Sequence, residues 1–185
     1  VSFPLKARAI GDRLVNTVET LLGGTLMNVR TEYKHDQPGN IPPPPEEFRE
    51  VPVEQERIVS LEEAKAVSPF PIAIPQYFPA GYKLAEVKFQ KMVKDTATVT
   101  LTYRGPGSKY FLVTQMNAPD GYVEGYGYDI EDAVAENTVI AGSQGKVSVF
   151  KNGDLRITWI KQGIVYNLEG NIQKEEALRV AESVY

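Results

Sequence analysis

Cysteine is absent from this chain of 185 residues, and histidine occurs once, as His35. Without cysteine the chain can form no disulfide, no thiolate metal site and no thiol nucleophile. A single histidine excludes sites that need two imidazoles, and its position beside a proline-rich stretch argues against a Ser-His-Asp triad. No run of 18 apolar residues occurs, so we expect no helix of these residues to span a bilayer.

The overall composition is that of a folded domain. Hydrophobic residues make up 42% of the chain and charged residues 24%, which is enough apolar material for a sizeable core. The formal net charge is -4, and such an acidic balance argues against a nucleic-acid partner. Composition therefore bounds the class of protein and leaves its function open.

The first 35 residues predict a helix and a strand. Apolar residues in the range 5–22 recur at steps of three and four, which is typical of a helix, and Gly23-Gly24 would end it. Residues 25–34 alternate as a strand does. Residues 36–59 then predict an acidic, proline-rich linker or arm that includes four consecutive prolines at 42–45.

Residues 60–185 predict the core domain. Ser60 and Glu63 form a capping box that starts a short helix, and Pro69 ends it. Residues 71–82 carry a proline at every fourth position, which predicts an extended segment covering a sheet edge. A second helix is expected over 173–184. Eight alternating stretches predict strands: 84–93, 97–103, 110–116, 122–130, 137–141, 146–150, 155–161 and 164–168.

These elements predict an α+β fold, with a meandering antiparallel sheet flanked by N-terminal and C-terminal helices. The expected divisions are a juxtamembrane-like helix and strand at 1–35, the arm at 36–59 and the core domain at 60–185. Asn152-Gly153 is a two-residue hairpin signal within the sheet, and Gln162-Gly163 is a break between two strands.

Familiar catalytic and cofactor motifs do not form. The Gly-Ser-Lys order at 107–109 lacks the spacing of a phosphate-binding loop, and Gly125-Tyr126-Gly127 lacks the third glycine of a dinucleotide loop. The acidic stretch 129–136 lacks the spacing of a calcium loop, so we interpret it as a solvated connection. We therefore expect no cofactor, no metal site and no catalytic residue, although a pair of carboxylates brought together in space stays open.

One row of aromatic residues suggests a binding surface. Alternate positions of the strand expected over 122–130 hold Tyr122, Glu124, Tyr126 and Tyr128. An exposed row of this kind stacks on sugars or on the apolar surface of a partner, whereas a buried row would only pack the sheet. Trp159, at the centre of a strong strand, is expected in the core.

The signals from Ser60 onward resemble a family. The resemblance is carried by the Leu61-Glu62-Glu63-Ala64 helix, the segment 71–82, the strand 99–103, Gln115, Trp159, the stretch 163–170 and the helix 175–184. It covers about two-thirds of the chain, and Gln173 departs from the serine or threonine cap that the family often has. The chain thus resembles the uncharacterised extracytoplasmic C-terminal domain of anti-sigma-factor-like and sporulation-associated membrane proteins of Gram-positive bacteria.

This resemblance implies a place outside the membrane and a tether upstream of Val1, with residues 1–22 as a juxtamembrane segment. The first hypothesis is a non-enzymatic sensing or interaction domain of a membrane-anchored regulator, with a protein or small extracellular ligand as partner. The alternatives are a cell-wall glycan hydrolase with paired carboxylates and a carrier domain for a lipid or peptide. A further interpretation makes the proline arm a docking segment, for another protein or a second copy by strand addition. The sequence leaves the oligomeric state open.

Overall fold

The computed structural model describes residues 13–22, 25–34, 54–92, 95–117, 123–129 and 133–185, and it describes side chains for 54–92, 95–117 and 133–185. The strands in these ranges are β1 Arg13–Leu22, β2 Thr25–Lys34, β3 Arg57–Val59, β4 Lys83–Lys91, β5 Ala97–Arg104, β6 Tyr110–Asn117, β7 Val123–Asp129, β8 Ala133–Ile140, β9 Ser143–Phe150, β10 Leu155–Lys161 and β11 Ile164–Gly170. The helices in these ranges are α1 Leu61–Val67 and α2 Lys174–Glu182.

The expected fold class is wrong in its helical part. Strands dominate the described residues: eight of them form one antiparallel sheet and three form another, whereas the two helices span only seven and nine residues. The architecture is therefore closer to all-β than to an α+β fold flanked by helices at both ends.

The predicted N-terminal helix is the source of the error. Residues 13–22 form strand β1, which pairs along its full length with β2, from Arg13↔Lys34 to Leu22↔Thr25. Four β-branched residues fall within these ten positions, and such side chains favour strands over helices. Gly23-Gly24 was interpreted as the end of a helix, but two consecutive glycines are also a two-residue hairpin signal. The strand predicted over 25–34 is confirmed.

The eight-stranded sheet consists of two meanders that meet at their last strands. Its order is β3-β4-β5-β6-β11-β10-β9-β8, so β3 to β6 form one half and β8 to β11 the other. Antiparallel pairing of β6 with β11, from Ile164↔Asn117 to Gly170↔Phe111, joins the halves. Strand β7 lies elsewhere, since it pairs with β1 in a three-stranded sheet of order β2-β1-β7.

One face of the large sheet carries the core. Alternate residues of the central strands are fully buried there, among them Leu101, Phe111, Ile157, Trp159 and Leu168. Helix α2 buries Ala177, Val180 and Ala181. The expected core position of Trp159 is confirmed, and its ring stacks on Tyr166 at 5.1 Å between centroids.

Helix α1 and the proline segment, residues 71–82, complete this layer. Ser60 caps α1 as predicted, because its Oγ accepts the N–H of Glu63 at 3.0 Å. The proline segment is extended, as expected, but it packs over inner strands of the sheet and not over an edge strand. Phe78 stacks on Tyr103 of β5, and Tyr103 stacks in turn on Phe111 of β6.

The turns on either side of β10 differ. Gln162-Gly163 is a two-residue turn, and both residues have positive φ, as a type I′ turn requires. Asn152-Gly153 was expected to be another, but four residues separate β9 from β10, and the N–H of Phe150 donates to the carbonyl of Asp154 at 2.8 Å. The Oδ1 of Asn152 accepts the N–H of Asp154 at 3.0 Å, and this side-chain turn accounts for the longer loop.

The last three residues of the predicted arm form β3, which pairs with β4 at the sheet edge. Among the described residues, no helix is long and apolar enough to cross a membrane.

Candidate interaction surface

The structure places three of the four predicted binding residues on one strand. Glu124, Tyr126 and Tyr128 occupy alternate positions of β7, opposite Glu19, Thr17 and Val15 of β1. Tyr122 lies outside the described residues. The row is therefore part of the three-stranded sheet and not of the large one. Its role in binding stays a prediction.

A different surface stands out on the large sheet, at strand β8. Among the described strands, β8 pairs with β9 alone. The two are joined by the turn Ala141-Gly142, in which both residues have positive φ, as in a type I′ turn. In such a turn the flanking residues Ile140 and Ser143 bond to each other.

That turn decides which backbone groups of β8 face outward. Bonded and non-bonded pairs alternate along an antiparallel ladder. Because Ile140 bonds to β9, every second residue back along the strand does so too. The remaining residues turn their N–H and C=O groups away from β9; they are Ala133, Ala135, Asn137 and Val139.

Strand β8 lacks most of the features that protect a sheet edge. Native edges are blunted by short strands, prolines, charged side chains or bulges, and of these β8 has one charged residue, Glu136. This strand has eight residues, no proline or lysine, and a continuous register with β9 from Ala133↔Phe150 to Ile140↔Ser143. The opposite edge, β3, has only three residues. Of the two edges of the large sheet, β8 is therefore the one suited to accept another strand.

Apolar side chains are exposed along the same edge. Val134 is 73% exposed and Val139 is 62% exposed, which makes them two of the most exposed large hydrophobic residues described. Successive strand residues point to opposite faces, so Val134 and Val139 lie on different faces of the sheet. A strand added at β8 would cover both.

A groove lies beside the start of β8. Its volume is about 350 Å³, and its lining is mostly apolar, with Ala133, Val134, Glu136, Val149, Phe150, Lys151 and Lys174 around it. The ammonium group of Lys174, on α2, binds the carboxylate of Glu136. Glu136 belongs to the acidic stretch 129–136, which was expected to be a solvated connection, but residues 133–136 are the first half of β8.

The residues that carry the family resemblance fix the fold instead. Gln115 is fully buried on β6, where its Oε1 accepts the N–H of Ala73 at 2.8 Å and its Nε2 donates to the Ala73 carbonyl at 2.7 Å. Gln115 thus acts as a hydrogen-bonding partner for the proline segment, whose prolines lack N–H groups of their own.

Tyr77 ties the same segment to helix α2. Its hydroxyl donates to the carboxylate of Glu176, and the guanidinium of Arg179 lies 4.0 Å from the ring centroid. The hydrogen bond to Glu176 is the main cause that raises the pKa of Tyr77 above its usual value, with desolvation second. The Ser183 Oγ accepts the Tyr77 N–H at 3.1 Å. These contacts hold the segment between the sheet and the helix.

Sequence reasoning missed the β8 surface because it started the strand too late, at residue 137. The β-branched residues Val134, Thr138, Val139 and Ile140 and the Ala141-Gly142 dipeptide were the available signals. Neither indicates that β8 lies at an edge, since this depends on the order of strands in the sheet.

Comparison with known families adds an identity. The model of a family described as domain of unknown function (DUF4367) matches residues 72–184. The chain belongs to this family. The matched range begins in the proline segment and ends at Val184, so it includes every strand of both meanders except β3. DUF4367 carries no assigned function, and searches of the curated proteins and of the solved structures found no match.

Proposed function

We propose that this DUF4367 protein is a non-enzymatic, extracytoplasmic interaction domain of a membrane-anchored regulator of the anti-sigma-factor type. We propose further that it binds its protein partner by strand addition along β8. The observation that carries the proposal is the eight-residue edge with its continuous register, whose outward backbone groups have no described partner.

Strand addition suits the chemistry of this edge. An extended segment laid along β8 bonds to the outward N–H and C=O groups, which gives affinity without sequence preference. Selectivity comes from alternate side chains. On one face the segment meets Val134 and the groove, and on the other it meets Val139. The favoured partner is therefore an extended segment with small or apolar residues at alternate positions.

The compartment and the tether are supported by the family resemblance of the proline segment and the closing helix. Fractionation of native cells tests them, together with the mass of the endogenous polypeptide. A membrane-bound species well above 20.5 kDa is the expected result. A species in the soluble fraction close to 20.5 kDa would contradict the tether.

The binding surface is tested by photocrosslinking in native cells. p-Benzoylphenylalanine replaces Val139 on β8 in one strain and Val67 on α1 in another. Both side chains are exposed, at 62% and 46%, but only the first lies at the proposed surface. We expect a discrete protein adduct from position 139 and none from position 67. Equal adduct formation at both positions, or none at 139, would refute the assignment.

A further inference from the structure

We infer that the strand received by β8 is β8 of a second copy of this chain, so that the domain is a two-fold symmetric dimer with a continuous sheet. This inference rests on the proposed function, because it names the occupant of the same edge. It follows from the way β8 matches its own sequence when two edges meet.

Antiparallel pairing of two identical edges restricts the registers. The two-fold axis stands perpendicular to the sheet, so residues from the same face come opposite each other. Only residues with outward backbone groups can form the bonded pairs. The axis must therefore pass through one residue of β8, and the candidates near the strand centre are Glu136, Asn137 and Thr138.

One of these registers is favoured by its side chains. With the axis at Asn137, Ala135 lies opposite the partner's Val139, and Val139 is 62% exposed. Glu136 then lies opposite the partner's Thr138, so the two Glu136 carboxylates are diagonal neighbours and do not face each other directly.

The neighbouring registers are worse. An axis at Glu136 sets two carboxylates opposite each other, which is destabilising. An axis at Thr138 sets Asn137 opposite the partner's Val139 and leaves only two bonded residue pairs within the strand. Both registers also lose the pairing of Ala135 with the partner's Val139.

The Asn137 register forms three bonded residue pairs along the edge, at two backbone hydrogen bonds each. Both β8 edges are used in the pair, so the described edges of the large sheet that are left over are the two β3 strands of three residues each. A closed dimer, rather than a fibre, is the result of an isologous contact of this kind.

The absence of cysteine from the chain gives a direct test of the register. At the two-fold axis, Cα atoms of a bonded pair lie about 5.5 Å apart, which is within the range of a disulfide. The 185-residue chain with Asn137→Cys should therefore form a covalent dimer on mild oxidation. Val139→Cys is the matched control. In this register, position 139 of one copy lies four strand positions from position 139 of the other, a distance of about 13 Å that is too long for a disulfide.

The wild-type chain should sediment at twice 20.5 kDa at high concentration. Ala135→Pro should sediment as a monomer, because it loses an outward N–H that β9 does not use, and a proline is tolerated at such an edge position. Its circular dichroism spectrum should match that of the wild type.

A wild-type chain that stays monomeric at all concentrations would overturn the dimer. Equal disulfide yields from Asn137→Cys and Val139→Cys would overturn the register. An adduct of position 139 with a different protein, combined with a monomeric chain, would overturn the second copy as occupant and leave the proposed interaction surface standing. If position 139 gives no adduct and the chain forms no dimer, both the proposed interaction surface and the dimer are refuted.

Discussion

The hydrogen bonds of Gln115 to Ala73 should be among the most costly to remove in the molecule. The change is Gln115→Leu, which keeps the size of the side chain and removes both bonds. The N–H and C=O of Ala73 would then be left without this partner beside a leucine, and Ala73 is 9% exposed. An unsatisfied buried group costs about 1–3 kcal/mol, so the two together predict a loss of about 2–6 kcal/mol in the free energy of unfolding.

Urea unfolding measures this loss through the fluorescence of Trp159, the single tryptophan of the chain, which is fully buried. Gln90→Leu is the matched control. Its Nε2 donates to the carbonyl of Glu54 at 3.2 Å, but this bond lies at the exposed surface. The control should change stability by less than about 0.5 kcal/mol.

A third variant separates the two bonds. Gln115→Glu keeps an acceptor for the Ala73 N–H, but an ionised carboxylate has no proton to donate to the Ala73 carbonyl. It should be at least as unstable as the leucine variant at neutral pH, because it also buries a charge. A loss below about 1 kcal/mol for Gln115→Leu would refute the reasoning that these bonds hold the proline segment on the sheet.

Two further predictions concern the core face. Gly170→Ala should prevent folding or destabilise the protein far more than Gly163→Ala. A Cβ at 170 would lie 2.3 Å from the Tyr110 carbonyl oxygen, whereas a Cβ at 163 would meet nothing within 4 Å. Thermal unfolding compares the two variants, and similar midpoints would contradict the packing. Burial raises the pKa of Tyr103 from 10.0 to about 12. The stability that the raised pKa contributes is complete below about pH 10 and is lost as the pH rises toward 12. Tyr103→Phe should therefore flatten the decline of stability between these pH values. An unchanged decline in alkaline urea titrations would count against this linkage.

Local signals were sufficient for most of the strands. The bounds of β10 were predicted without error, since Leu155–Lys161 alternates cleanly between two turn signals. The capped helix α1 was also predicted correctly, from Ser60 and Glu63. Residues 13–22 failed because apolar spacing at three and four matched a helix while the β-branched residues favoured a strand, and pairing with β2 decided the outcome.

The candidate surface could not be predicted in the same way. That β8 is an edge depends on β11 being inserted next to β6, a pairing of residues about 50 positions apart in the chain. Alternation within a strand carries no information on such a neighbour. The position of Gln115 beneath Ala73, 42 residues away, is non-local for the same reason.

The central position of β11 has a consequence for folding during synthesis. The first meander, β3 to β6, emerges from the ribosome long before the strand that pairs with its last member. Until residue 170 has been made, β6 is an open edge that carries Phe111, Val113 and Gln115. Nascent chains of this protein are thus exposed to mispairing until β11, the last of the described strands, has appeared and completed the sheet.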